Sequence, residues 1–288
     1  MNKDNIKREQ AMNSNSNKLL ADKIVSGLRE NLPKLLEPIG NLWSVAVMGS
    51  YPRGDFVENN SDLDINIIFK KKEFDIPHYL LREEQGCKVI KDYIDSILGD
   101  RVIYSHAWFA NNECKGIELM TFLLNDFPEK PEDIKPPHEG PEFPYFNIFM
   151  FDYVENLMVL WGNDPRNIMP DPPDPKTMAV ESLRVNLAKC KRAIDAGMEF
   201  RVPFNAFKAI QVAQLFFGER SLDKRRLLEL YNKYVPDFPM KDFGCKIITD
   251  KMEQRFPDNP PHFAPISEYM NFVGQLSVLA EKTSCKDG

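Results

Sequence analysis

The sequence predicts an α+β fold in which a mixed β-sheet flanked by helices is followed by an α-helical bundle. Short apolar runs rich in β-forming residues occur only in the first part of the chain. Five helix-length segments, separated by Gly, Pro or Asp-Phe-Pro breaks, fill the last part. The proline-dense segment WGNDPRNIMPDPPDP lies between the two regions, so we place the boundary near Asp174.

This pattern divides the 288 residues into three parts. Residues 1–16 are expected to be a flexible tail, residues 17–174 a first domain and residues 175–288 a helical domain. The length is sufficient for two ordinary cores. The polar N-terminal residues lack the apolar region of a secretory signal, and we expect a cytoplasmic location.

The first domain is predicted to begin with an amphipathic helix over residues 17–36. Leu20, Ile24 and Leu28 recur at helical spacing with charged residues between them. We expect Pro33 to disturb the end of this helix, because proline lacks a backbone donor.

A buried strand and a small-residue turn follow the helix. Leu42–Met48 is short, apolar and β-rich, and it stops at Gly49-Ser50. Glycine lets the backbone approach a ligand closely, and successive N–H groups in such a turn, together with the Ser50 hydroxyl, bind phosphate oxygens. Arg53 lies within reach of the same ligand.

The next strand carries two aspartates on one face. Alternate residues of a strand share a face, so Asp62, Asp64 and Asn66 lie together while the apolar residues between them enter the core. Two neighbouring carboxylates repel each other unless a positive charge lies between them, and Mg²⁺ prefers such oxygen ligands. The alternative is a polar strand end beside a surface turn.

The segment GSYPRGDFVENNSDLDI resembles the signature of the polymerase-β-like nucleotidyltransferase superfamily. The resemblance rests on Gly-Ser, a following Arg-Gly, and Ser-Asp-x-Asp before an apolar residue. It implies a nucleotidyltransferase fold for the first domain. The superfamily includes antibiotic nucleotidyltransferases, tRNA-tailing enzymes, protein-modifying enzymes and antitoxins, so the fold does not specify the substrate.

A helix and two further strands are expected after the aspartates. Residues 76–98 carry apolar side chains at spacings of three and four, and Gly99 ends this helix. Residues 101–109 and 116–124 have the composition of strands. Their short connection favours an antiparallel hairpin.

Glu118 interrupts the second of these strands between Ile117 and Leu119. A carboxylate at such a position is unfavourable unless it is paired or bound to a metal. The superfamily resemblance implies a function, because a third carboxylate commonly follows on a neighbouring strand between apolar residues. The alternative is an exposed residue on a half-solvated strand.

Residues 127–144 contain six prolines among charged residues and predict an irregular surface segment. Residues 145–159 are expected to be helical and to lead into a short strand that ends at Gly162. The five predicted helices of the second domain are 176–196, 203–217, 221–234, 240–255 and 265–282, with Ser221 as the N-cap of the third. This order resembles the C-terminal helical domain of aminoglycoside-type antibiotic nucleotidyltransferases.

Several function classes lack support in the sequence. There is no P-loop, dinucleotide fingerprint, serine-hydrolase elbow or zinc-protease motif. The five cysteines and four histidines lack the spacings of a disulfide framework or a zinc site. No apolar stretch reaches membrane-spanning length. The net charge of −6 makes nucleic acid an unfavourable partner.

The resemblance implies transfer of a nucleoside monophosphate, most simply AMP from ATP, to an acceptor hydroxyl with release of pyrophosphate. Asp62 and Asp64 would hold Mg²⁺ or Mn²⁺, and Glu118 would complete a second metal site or act as the base on the acceptor.

The nucleotide itself would be held from two sides. The Gly49-Ser50 turn would bind the β- and γ-phosphates, and Arg53 would offset their charge. Lys189, together with Lys191 and Arg192, would reach the triphosphate from the second domain. The alternative for these three cations is a solvated basic face.

Three acceptors and one non-enzymatic function remain open. A small aminoglycoside-like molecule fits the acidic balance, a protein hydroxyl fits the catalytic core equally well, and an RNA 3′ end fits the chemistry but not the charge. Glu139, Glu142, Asp152 and Glu155 are expected to attract a polycationic acceptor. The fourth alternative is a nucleotide-binding regulator without turnover. The sequence leaves the oligomeric state open.

Overall fold

The computed structural model describes residues 3–57, 61–70, 85–99, 116–124, 127–134, 148–253 and 263–285. They form two compact units. The first consists of the described parts of Met1–Phe127 and Asn156–Met169. The second consists of the described parts of Pro128–Glu155, Pro170–Gln254 and Asn259–Gly288. The domain limits predicted from the sequence stay predictions.

A four-stranded mixed sheet forms the centre of the first unit, as the sequence predicted. Its strands are β1 (Leu42–Met48), β2 (Leu63–Phe69), β3 (Ile117–Leu123) and β4 (Met158–Gly162). The order across the sheet is β3-β2-β1-β4. Strand β1 is antiparallel to both β2 and β4, whereas β2 and β3 are parallel.

Helices α1 (Lys3–Leu36) and α3 (Gln85–Leu98) pack together and share one hydrophobic core with the sheet. Burial of apolar surface against the sheet is the main stabilising contribution here. The side chains that meet in this core include Ile24, Leu28, Leu63, Ile65, Ile67, Ile90 and Ile94. The predicted burial of Leu63, Ile65 and Ile67 is therefore confirmed, but Asn66 and Ile68 on the other face of β2 are buried as well.

Helix α1 begins at Lys3 and not at residue 17, so residues 3–16 are helical. These residues include many Lys, Arg, Glu, Gln, Ala and Met, which have high helix propensity. The helix continues through Pro33 and ends at Leu36. A proline this close to the end of a helix removes a single hydrogen bond of the last turns.

The segments around α3 agree with the sequence where they are described. Gly99 has a φ of 55° and follows α3 directly, as expected for a helix end. Residues 76–84 and the predicted strand 101–109 lie outside the described residues, so the hairpin stays a prediction. The second predicted strand is β3.

The described part of the proline-rich segment, residues 127–134, is buried at its two ends, whereas Glu129, Lys130, Pro131 and Asp133 are exposed. Phe127 is buried and its ring lies 5.9 Å from that of Phe122, and Ile134 is also buried. The two large apolar side chains therefore anchor a segment that the proline count alone assigned to the surface. Residues 135–147 lie outside the described part of the chain. The short helix α4 (Met150–Asn156) then leads into β4.

The five helices predicted for the C-terminal region are confirmed. They are α5 (Pro175–Asp195), α6 (Arg201–Phe217), α7 (Leu227–Tyr234), α8 (Lys241–Glu253) and α9 (Ile266–Ser284). Helices α5, α6 and α9 pack against one another. No described helix has the length and apolarity needed to cross a membrane.

The predicted N-cap of the third helix was wrong. Asp223, not Ser221, accepts the backbone N–H of Arg225 and caps a 3₁₀ turn that precedes α7. Ser221 instead accepts a hydrogen bond from the N–H of Asp223, at 3.3 Å. The carboxylate is the stronger acceptor of the two side chains.

Candidate active site

The turn after β1 approaches the carboxylate of Asp64 closely. Gly49 has φ 76° and ψ −144°, a backbone conformation that is essentially restricted to glycine. A Cβ atom at Gly49 would collide with Oδ2 of Asp64. The absence of a side chain therefore allows the turn and the carboxylate to lie side by side.

The register of the sheet places a second carboxylate beside Asp64. In the parallel pair of β2 and β3, Asp64 lies directly opposite Glu118. Directly paired residues of neighbouring strands project to the same face. On the other side, Asp64 lies opposite Met48, the residue before Gly49. Three of the predicted site residues thus lie at the same end of neighbouring strands: Gly49, Asp64 and Glu118.

Asp62 comes immediately before β2, and Asp62, Asp64 and Glu118 are all partly exposed. Partial exposure allows contact with a ligand. Within the described residues, no three His, Cys, Asp or Glu side chains come together in an arrangement that holds a metal ion. The donor chemistry nevertheless fits a hard cation, because Mg²⁺ commonly binds one or two carboxylates and takes its other ligands from substrate phosphates and water.

Ser50 is the first residue of a short helix, α2 (Ser50–Arg53), and is only 3% exposed. The sequence predicted a turn at this position, and its role in binding phosphate stays a prediction. The N–H of Asp55 donates to the carbonyl oxygen of Ser50 at 3.1 Å.

Arg53 binds a carboxylate of the protein itself. Its Nε lies 2.8 Å from Oδ1 of Asp55, and its Nη2 donates to Oδ2 at 3.1 Å. Asp55 is 1% exposed, so this two-point ion pair is shielded from water. The predicted role of Arg53 in offsetting phosphate charge stays a prediction. Asp55 was not among the predicted site residues, although the Arg-x-Asp spacing in a turn is a sequence signal for this ion pair.

Asn66 shares the face of Asp64, as predicted, but it is fully buried. Its Nδ2 donates to the sulfur of Met48 at 3.2 Å. Its Oδ1 has no hydrogen-bond partner among the described residues. Asn66 is thus a buried polar residue two positions after Asp64 on the same face of β2.

Lys189 belongs to α5 in the second unit, and its role at the nucleotide stays a prediction. Burial, followed by the nearby charge of Arg192, lowers the pKa of Lys189. Lys191 and Arg192 are exposed.

Two of the four carboxylates expected to attract a cationic acceptor belong to the part of the chain that the structure describes. Glu139 and Glu142 lie outside the described residues. Asp152 is buried, and Glu155 forms an ion pair with Arg220 at 2.9 Å. The attraction of a cationic acceptor by these carboxylates stays a prediction.

Residues 27–135 match the family model described as a nucleotidyltransferase domain. This segment is a nucleotidyltransferase domain. The match includes the Gly49-Ser50 turn, both aspartates and Glu118, and it agrees with the mixed sheet and its helices. The protein is accordingly an enzyme of the nucleotidyltransferase class. No protein of curated function matches the chain.

Proposed function

We propose that the nucleotidyltransferase domain transfers AMP from ATP to an acceptor hydroxyl and releases pyrophosphate, with Mg²⁺ or Mn²⁺ as cofactor. The observation that supports the proposal is the register that sets Asp64 beside Glu118, with Gly49 against the carboxylate of Asp64. The same end of the strands thus offers two carboxylates and a turn in which Gly49 lacks a side chain.

Asp62 and Asp64 would hold the cation, and Glu118 would complete its ligands or act as a base. When bound, a divalent cation stabilises the negative charge on the transferring phosphoryl group. The Gly49-Ser50 turn would orient the triphosphate so that the acceptor oxygen faces the α-phosphorus. Orientation of this kind lowers the entropic part of the barrier.

Glu118 would then accept the proton of the acceptor hydroxyl. The acceptor oxygen forms a bond to the α-phosphorus, the bond from that phosphorus to the bridging oxygen breaks, and pyrophosphate leaves with the electron pair.

We propose a small aminoglycoside-like polycation as the acceptor. The support is the net charge of −6 and the resemblance of the helical region to that of the antibiotic enzymes. A protein hydroxyl and an RNA 3′ end remain the competing acceptors. The ion pair of Glu155 and the burial of Asp152 leave the overall charge as the main electrostatic argument.

The experiment that tests the proposal is incubation with ATP labelled at the α-phosphate, with and without Mg²⁺, in the presence of aminoglycosides, proteins and RNAs. We expect label on a cationic small molecule only when the metal is present. The Asp62→Asn/Asp64→Asn double variant should be inactive and folded, and Asp92→Asn, an exposed carboxylate of α3, is the control. Full activity of the double variant would contradict the two-carboxylate mechanism. Label found solely on protein or RNA would replace the proposed acceptor.

A further inference from the structure

Helix α2 carries Ser50 but has four residues, which is too short to be stable by itself. Its orientation must therefore come from contacts with the rest of the domain. One end is fixed locally, because Gly54 adopts a left-handed conformation and the Arg53–Asp55 pair closes the turn. These contacts stay within the same short stretch of chain and do not fix α2 relative to the core.

A long-range contact is provided by Tyr51, the residue next to Ser50. Its hydroxyl donates to Oδ1 of Asp22 in α1 at 2.7 Å. The ring of Phe56 packs edge-on against the ring of Tyr51, with centroids 6.1 Å apart and an interplanar angle of 86°. The phenol thus reaches from the short helix to a long helix that is anchored in the core by Ile24 and Leu28.

The hydrogen bond between Tyr51 and Asp22 is expected to be formed at all pH values at which the enzyme works. Burial, then the hydrogen bond to Asp22 and its charge, raises the pKa of Tyr51 far above the ordinary value. The hydroxyl therefore keeps its proton over the whole range in which enzymes work. Hydrogen bonds to an ionised carboxylate are stronger than those between neutral groups.

We propose that Asp22 and Tyr51 are positioning residues of the nucleotidyl-transfer site. Their hydrogen bond fixes the rotation of α2 about its axis, and thereby fixes Ser50 relative to Asp64 across the Gly49 turn. The proposal rests on the proposed function, in which this turn binds the triphosphate. Neither residue touches the nucleotide.

The first test is the Tyr51→Phe variant, which removes the hydroxyl and keeps the ring against Phe56. We expect the Kd for a non-hydrolysable ATP analogue and the KM for ATP to rise roughly tenfold, the size expected for loss of one hydrogen bond to a charged group. Far-UV circular dichroism should be unchanged. Binding of the analogue is measured independently of catalysis.

The chain supplies a matched control in Tyr93 of α3. Its hydroxyl accepts a hydrogen bond from Nδ2 of Asn31 at 2.8 Å, so it also connects a phenol to α1. This contact does not involve α2. We expect Tyr93→Phe to lower the unfolding temperature as much as Tyr51→Phe does, without changing the Kd for the analogue.

Substitutions at Asp22 test the connection from its other end. Asp22→Asn keeps an acceptor oxygen and should retain most of the nucleotide affinity, whereas Asp22→Ala should reproduce the defect of Tyr51→Phe. The Asp22→Ala/Tyr51→Phe double variant should be no worse than either single variant, because both remove one interaction. Asp22 is partly exposed. It also forms an ion pair with Lys18, which contributes little to stability because it lies at the surface.

The outcomes separate this inference from the function on which it rests. An unchanged Kd in Tyr51→Phe, an equal rise in Tyr93→Phe, or additive effects in the double variant would overturn the positioning role while the wild-type enzyme stays active. A wild-type protein that neither binds the analogue nor transfers label would overturn the proposed function, and the positioning role with it.

Discussion

At the scale of single residues, Gly49 is the position at which the site depends most directly on a missing side chain. Its φ of 76° is unfavourable for other residues, and a Cβ would collide with the carboxylate of Asp64. Backbone strain of this kind costs about 1–3 kcal/mol. We expect Gly49→Ala to lower the unfolding free energy by that amount and to abolish turnover, because Asp64 is displaced.

Gly99→Ala is the control for Gly49→Ala. Gly99 also has positive φ, at 55°, but among the described residues no atom lies within 4 Å of the position of its Cβ. The Gly99→Ala variant should have a lower free energy of unfolding, measured with denaturant, and normal turnover. If Gly49→Ala retained wild-type turnover, the close approach of the turn to Asp64 would have no functional importance.

Glu118 is the residue whose chemical role is most open to experiment. As a general base it should be required for proton removal but not for nucleotide binding. We expect Glu118→Gln to reduce turnover by roughly 10²–10⁴-fold with little change in the Kd for ATP. Glu37→Gln, which changes an exposed carboxylate of the same unit, should leave both quantities unchanged. Normal turnover of Glu118→Gln would leave Glu118 with a structural role alone.

At the scale of elements, α5 depends on the cap that Asp174 provides at its start. The Oδ1 of Asp174 accepts the N–H of Lys176 at 3.0 Å, and Pro175 occupies the first helical position. Loss of such a cap costs about 1 kcal/mol. We expect Asp174→Ala to lower the unfolding free energy of the protein by about that amount.

Asp195, at the opposite end of α5, is the control position for this prediction. Asp195 is an exposed acid in the last turn, where a negative charge is unfavourable because it lies near the negative end of the helix dipole. Asp195→Ala should therefore leave stability unchanged or raise it slightly in urea unfolding. Equal destabilisation by the two substitutions would contradict the capping role of Asp174.

At the scale of the whole molecule, net charge governs the proposed choice of acceptor. A chain of net charge −6 attracts polycations and repels RNA over distances comparable to the Debye length, about 10 Å at 0.1 M salt. We expect the KM for an aminoglycoside to rise with ionic strength. The KM for a neutral polyhydroxyl acceptor should stay constant, and an equal salt response of both acceptors would contradict the electrostatic explanation.

Local patterns in the sequence were sufficient to predict most of the helices and strands. Strands β1 and β2 and the five C-terminal helices follow from periodicity and from Gly and Pro breaks, which are properties of adjacent residues. The same periodicity placed Asp64 and Asn66 on one face of β2. The start of α1 was misplaced because a polar segment of good helix formers has no apolar repeat to mark it.

What the sequence by itself determined is therefore the kind of element and the face on which each candidate residue lies. Only the tertiary structure decided which faces meet. The pairing of Asp64 with Glu118 depends on the register of two strands far apart in the chain, and no local pattern encodes that register. The hydrogen bond from Tyr51 to Asp22 likewise joins segments that are distant in the chain, and the burial of Ser50 is a property of the folded domain.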